Sequence, residues 1–273
     1  MKVKFGVSDV FAWAILAIGT IVWFFVKGVS DDENQAPLPL VVHQTSVSGQ
    51  HDGHDYVDLG LPSGTKWATC NVGAQKTTEK GALFAWGETE PKTCFSWKNY
   101  KWWDDDKVVK YCTESSCGLV DNKLTLEPAD DAATANWGAG WRMPTLNELI
   151  ELYEGCEWHP TSFVNGDTVV GVVGVSKTNG ETIFIPSSTE KYEVMGSVFY
   201  FSFLWASTLS CVIDKYDLNH YYLAEADDSE LSSVEYSMWV PCLMFNCVPA
   251  SHEVYLYHRY SGRSVRAVSS VWK

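Results

Sequence analysis

The run TLNELIELYEG, Thr145 to Gly155, fixes one element before anything else in the chain is considered. Thr145 followed three residues later by Glu148 is a capping box, in which hydroxyl and carboxylate each accept the other residue's backbone amide. Pro144, just outside, biases Met143 away from helical dihedrals and makes the start sharp. Leu146, Leu149, Ile150 and Tyr153 recur at helical spacing and give one apolar stripe, and Gly155 is a natural left-handed stop. A helix over 146–154 follows, led in by GAGWRMP. Within that lead, Trp141 and Met143 read as wedges, and Arg142 as a group that pairs or donates to carbonyls rather than one that binds an anion.

Most of the remaining chain has strand texture. YVDLGL (56–61) alternates apolar and polar residues, PSG turns the chain, and TKWATCNV (65–72) continues it, which predicts a hairpin. TVVGVVGV (168–175) and ETIFIP (181–186) flank KTNG, where Asn179-Gly180 is a strong hairpin signal. ALFAWGE (82–88) is a short apolar run before the Trp- and Lys-rich loop FSWKNYKWW. Strands are also expected over 199–208, 221–224, 254–257 and SVRAV (264–268), and a second, weaker helix over 74–83. Many short strands, one firm helix and long aromatic loops make an α+β domain. With 273 residues, 46% of them apolar, the chain can bury a substantial core. Thirteen Trp imply a core of large rings with some left for display.

A formal charge of −14 argues against nucleic acid, which requires a basic face. Asp104-Asp105-Asp106 and the 225–230 run read as solvated loops. The segment Val10 to Val26 carries no charge and would span about 25 Å as a helix, enough for a bilayer core. Lys2 and Lys4 precede it and Asp31, Asp32 and Glu33 follow, so the bulk of the chain is expected outside. Trp13 and Trp23 near its ends favour an uncleaved anchor (1–27); a cleaved signal peptide, with Gly28-Val29-Ser30 at the junction, is the competitor. Residues 28–54 read as a linker, and its HDGH (51–54) as solvated histidines rather than a metal pair. Eight cysteines (70, 94, 112, 117, 156, 211, 242 and 247) suit an exported, disulfide-permissive setting without fixing connectivity. Cys112 and Cys117, flanking TESS, are placed to close a small loop. No CxxC, P-loop, HExxH or Ser/His/Asp arrangement is present.

YVDLGLPSGTKWATCNVGA, GALFAWGETEPK, LEPADDAATANWGAGWRMPTLNELIEL, NGETIFIPSS, LWASTL and RYSGRSVRAV together resemble, in order and spacing, the FISUMP family. This is the major paralogous domain of exported Bacteroidetes proteins, and the resemblance covers about residues 55–268. It implies a C-type-lectin-like fold, akin to formylglycine-generating-enzyme domains and to the variable proteins of diversity-generating retroelements. A compact scaffold (55–273) would then present an irregular, ligand-facing surface in its C-terminal half. No general catalytic activity attaches to the family, and no cofactor or metal is expected.

The chain departs from that pattern between 199 and 260, where SMWVPCLMFNCVPASHEVYLYHRY is rich in Cys, Met and rings. The candidate ligand face is Tyr200, Phe203, Tyr216, His220, Tyr236, Trp239, Phe245, Asn246, His252, Tyr255, Tyr257 and His258, since stiff rings with polar tips suit recognition. About half of these aromatics are expected to be buried. The leading expectation is a non-catalytic, surface-displayed protein that binds a protein or glycan, with retroelement diversification across 199–260 as a special case. A structural envelope or adhesin subunit shares this fold. A third reading takes Cys242 and Cys247 as the copper pair of a formylglycine-generating-type oxidase, two thiolates being what Cu(I) requires.

Overall fold

Two runs of alternating residues close the first hairpins. β1 (Gly49–His51) and β2 (His54–Val57) meet across Asp52-Gly53, both with positive φ (45° and 80°), as a tight two-residue hairpin turn demands. β3 (Lys66–Ala68) pairs back on β2, Val57 opposite Trp67, which is the hairpin expected from 56–72. These coordinates come from a computed structural model that describes residues 45–164, 168–188, 192–194, 197–209, 222–223, 236–247 and 250–269. The described residues fall in one unit, Val42–Glu225 with Glu235–Lys273. The expected anchor at 10–26 lies outside them, and among the described residues no helix is long and apolar enough to cross a membrane.

After β4 (Leu83–Phe84), the pair β5 (Trp103–Asp104) and β6 (Lys107–Val108) turns through Asp105 and Asp106, both left-handed and solvated. The helices are α1 (Ala132–Trp137) and α2 (Leu146–Gly155). β7 (Cys156–Val164), β8 (Thr168–Ser176) and β9 (Thr182–Pro186) form a three-stranded antiparallel sheet, its second turn being the Asn179-Gly180 hairpin. The small pair β10 (Tyr192–Val194) and β11 (Ser197–Phe199) leads to β12 (Phe201–Trp205) and β13 (Tyr222–Leu223). β14 (Trp239–Cys247), β15 (Ala250–His258), β16 (Arg263–Ser264) and β17 (Val268–Ser269) complete the chain. The main sheet has the order β13-β15-β14-β12-β16-β4, and β17 closes the β1-β2-β3 sheet. The result is a mixed, strand-rich domain with two α-helices among the described residues.

The capping box forms as expected: Thr145 N donates to Glu148 at 2.8 Å and Glu148 N to Thr145 Oγ1 at 3.3 Å. Arg142 completes it with a bidentate pair to Glu148 (2.7 and 2.6 Å) while donating to Met143 O. Burial works to raise the Glu148 pKa, but Arg142 and the Thr145 amide outweigh it and hold the carboxyl at about 2. Leu146, Leu149 and Leu152 are buried, with Ile150 and Tyr153 half-buried beside them. Trp141 and Met143 pack in the main core with Ala132, Ala133, Phe84 and Trp86, a cluster that holds none of this helix's stripe. Asp131 holds the lead in place, capping α1 through Thr134 N (2.9 Å) and accepting Met143 N (2.8 Å).

Three expectations are corrected. Residues 74–82 form turns and irregular backbone leading into β4 rather than the helix expected over 74–83, because Gly81 is left-handed (φ 73°) and Ala82 N is taken by Val72 O. The second helix is instead α1, whose signal was Asp131 before two alanines. The linker also ends sooner: Thr45 Oγ1 accepts Phe184 N (3.0 Å) and Ser46 N donates to Thr182 O (2.8 Å), so residues from 45 onward belong to the domain. His54 is stacked on Trp137 at 3.9 Å rather than solvated, which assigns HDGH to packing.

Arg266 is fully buried, donating to Ala68 O (2.9 Å), Asn71 Oδ1 (2.7 Å) and Phe184 O (3.0 Å). Arg266→Met leaves these acceptors unpaired and should lower the unfolding free energy by about 3 kcal/mol in urea titration. Arg266→Lys should recover little, since one ammonium cannot serve that fork. For Glu148 the unfolded carboxyl titrates near 4.5 and the folded one at about 2. Its contribution is therefore complete above pH 4.5 and lost as pH falls through 2. Wild-type and Glu148→Gln stabilities should converge on acidification; a constant gap would remove the ion pair from the acid response.

Candidate functional site

The segment expected to be a display surface forms the middle of the main sheet. β14 pairs β12 on one side (Phe203 opposite Met244, Trp205 opposite Cys242) and β15 on the other (Cys242 opposite Tyr255, Val240 opposite Tyr257). Strand alternation then sends Val240, Cys242 and Met244 to one face with Phe203, Trp205 and Tyr257, into the main core. The opposite face lies against α2, β7 and β8, where Phe245 meets Trp158 at 4.4 Å. Every residue from 239 to 245 is buried. Pro241 is tolerated in this central strand because β12 ends opposite it: Ala206 N donates to Pro241 O just past Trp205, and Ala206 O, which an amide at 241 would otherwise serve, accepts Trp86 Nε1 at 2.9 Å.

Burial therefore removes four residues from the expected ligand face. Phe203 (8% exposed), Trp239 (5%), Phe245 (0%) and Tyr257 (8%) are core rings, because covering both sides of a sheet leaves neither set of alternate residues outside. Tyr200, Tyr255 and His258 are half-buried. Tyr236, Asn246 and His252 are placed by backbone alone, in the 3-10 turn before β14, opposite Phe201, and opposite Phe245 respectively. Tyr216 and His220 lie outside the described residues.

Two groups of rings do converge. On the core face of the sheet, Tyr257 meets Phe203 edge-on at 5.4 Å and Tyr255 in a stack at 6.3 Å. The Arg263 guanidinium sits 3.9 Å from the Tyr257 ring centre and 4.9 Å from that of Phe203, and donates to Gly262 O. Phe201 and Tyr255 form the partly exposed rim of this strip. On the opposite face Trp239 stacks on His258 (3.9 Å), which stacks on Tyr260 (5.3 Å). Trp97 closes the corner at 4.8 Å from Tyr260 and 4.2 Å from Trp103. Trp97, Trp103, His258 and Tyr260 are all half-buried. Arg263, Phe201, Tyr260 and the two tryptophans were not among the expected site residues; the ring density of FSWKNYKWW was the available signal for Trp97 and Trp103.

The charged groups pair locally. Asp130, buried, accepts Lys101 (3.1 Å), Lys110 (2.5 Å) and Tyr111 (2.7 Å). Burial alone would raise its pKa, yet these three donors keep the carboxyl below the usual range. Glu127 holds Lys110 and Lys123. No group of three or more metal-ligating side chains occurs among the described residues. Cys242 is a core thiol whose pKa burial pushes up to about 12. It shares continuous strand β14 with Cys247, so their Cα atoms lie about 16 Å apart. Two thiolates at that separation cannot hold one copper ion. No family model, curated protein or solved structure matches the chain.

Burial lowers the His258 pKa from 6.5 to about 4, against a hydrogen bond at the Met238 backbone that raises it. The folded ring thus stays neutral where the unfolded one charges, so stability is complete above pH 6.5 and lost as pH falls toward 4. An NMR titration of His258 should show a midpoint near 4, and His258→Phe should flatten the acid loss over that window. A midpoint near 6.5 would mean that the ring is open to water.

Proposed function

We propose that this chain is a non-catalytic recognition protein of the cell envelope, a lectin-like domain carried outside on the 10–26 segment and binding a protein or glycan. The observation that carries this reading is the aromatic strip on the main sheet, with the Arg263 guanidinium seated on Tyr257 and Phe203 and the rims of Phe201 and Tyr255 open to solvent. A cation held against ring faces is partly desolvated already, and rings anchored in a core lose little freedom when a partner binds. Buried Phe203 and Tyr257 serve as floor, and half-buried Tyr255 and Phe201 as contact surface. The FISUMP resemblance, with the C-type-lectin-like fold it implies, supports the same reading: a scaffold that spends its regular structure on holding loops and rims still. The chemistry of the Cys242–Cys247 pair favours recognition over the oxidase alternative, since a copper site has no place on that strand.

The test is binding by the full-length chain in detergent, probed on a printed glycan array and in a pull-down from extracellular envelope proteins. Tyr255→Ala combined with Phe201→Ser should weaken capture at least tenfold while leaving the thermal midpoint within a few degrees, because both side chains are at the rim. Undiminished capture by that variant would move the site elsewhere on the domain. Sibling loci discriminate the diversified form: substitutions would concentrate at rim positions within 199–260 and avoid 239–245.

A further inference from the structure

We propose that Cys112 and Cys117 become joined in an intramolecular disulfide when the chain folds in an oxidising compartment, bracing the turn beneath Trp103. Both side chains are buried, and with Val108 they form a small apolar cluster separate from the main core, against which Trp103 and Met238 pack. Of the other described cysteines, Cys242 lies in the main core and Cys94 is exposed.

One carbonyl ties the two residues together. Glu114 O accepts the Cys112 thiol at 3.1 Å and the Cys117 amide at 3.1 Å. The Cys112 sulfur therefore lies within about 6 Å of the Cys117 amide nitrogen, twice the 3.1 Å that separates each from the shared oxygen. The Cys117 thiol points to the same residue, donating to the Glu114 carboxylate at 3.2 Å. Both anchor points are already fixed. Cys112 N donates to Asp121 (2.9 Å) while Cys112 O accepts Asp121 N and Asn122 N, and Cys117 O accepts Val108 N (2.9 Å). Closing the bond turns both thiols away from Glu114 and frees its half-buried carboxylate to turn toward water.

The chemistry is exchange with an external disulfide, such as oxidised glutathione or a disulfide oxidoreductase. One Cys thiolate attacks the oxidant's sulfur and expels its first thiolate. The second Cys thiolate then attacks the mixed disulfide and expels the other, so two electrons and two protons leave the pair. Each thiol first loses its proton to solvent, giving the thiolate that attacks. Exchange takes place during folding, before Val108 and Met238 cover the sulfurs. The inference rests on the exported reading only for its source of oxidant.

Sequence makes the measurement clean, since trypsin cuts after Lys110 and Lys123 and the peptide 111–123 holds these two cysteines and no others. The full-length chain is unfolded, refolded in a glutathione redox pair, denatured without reductant, alkylated and digested. The expected peptide is unalkylated and two hydrogen masses lighter than its reduced form, while Cys94 is alkylated. A peptide carrying two alkyl groups, or either cysteine linked elsewhere, overturns the proposal and leaves the recognition reading untouched. Loss of ligand capture with the bond intact would do the reverse.

Discussion

A single cation without a carboxylate partner holds the domain's layers together. Arg266 reaches one carbonyl on β3, one side-chain amide oxygen just beyond it and one carbonyl on β9, and each is out of reach of water. Burial pulls its pKa down to about 10, so it remains charged at neutral pH. A charge in that position is tolerated only when its donors are met, and the planar fork of a guanidinium meets several acceptors at fixed angles. Two residues on, Val268 exchanges backbone bonds with Arg142 (2.9 and 3.0 Å), which places GAGWRMP and hence the start of α2. Arg259 repeats the device at the other end of the same segment, donating to Lys110 O and Tyr111 O while its guanidinium lies 5.1 Å from the centre of the Trp86 ring.

Local chemistry was readable where one residue type has one use. A Thr-x-x-Glu box, an Asn-Gly turn and the alternation of 56–72 each specify a backbone geometry, and each appears in the fold. The 74–83 segment failed because its helix-forming residues were outweighed by a glycine turn that long-range pairing to Val72 fixes in place. The aromatic segment was ambiguous for a different reason. Trp, Phe and Tyr serve equally as core and as contact surface, and WVPCLMF carries no polar alternation to tell the two apart. That missing alternation is itself the mark of a strand covered on both sides. The asymmetry within the expected face, with Tyr255 at the rim and Tyr257 beneath the guanidinium, depends on which neighbours cover each ring and could not be read from one chain.

Rigidity is shared between core and rim rather than divided between them. The strip under Arg263 is continuous with the main core through Phe203 and Tyr257, and the Trp97 corner rests through His258 on Trp239, which is buried with the next six residues of β14. Surface rings in such a setting inherit the order of the interior, which reduces the entropy that a partner must overcome. The two ring groups lie on opposite faces of the main sheet and are joined directly at the end of β15, where Tyr257 belongs to one and His258 to the other.

The two-sided cover of β14 also limits how the gene can drift. Adding or deleting one residue between 239 and 245 would invert every later side chain, driving Leu243 and Phe245 toward the space of Cys242 and Met244 and stranding the proline in the ladder. Point replacement is the only change this strand can absorb, so descendants of this sequence should keep its length there unaltered while differing freely in the spacing of the loops around it.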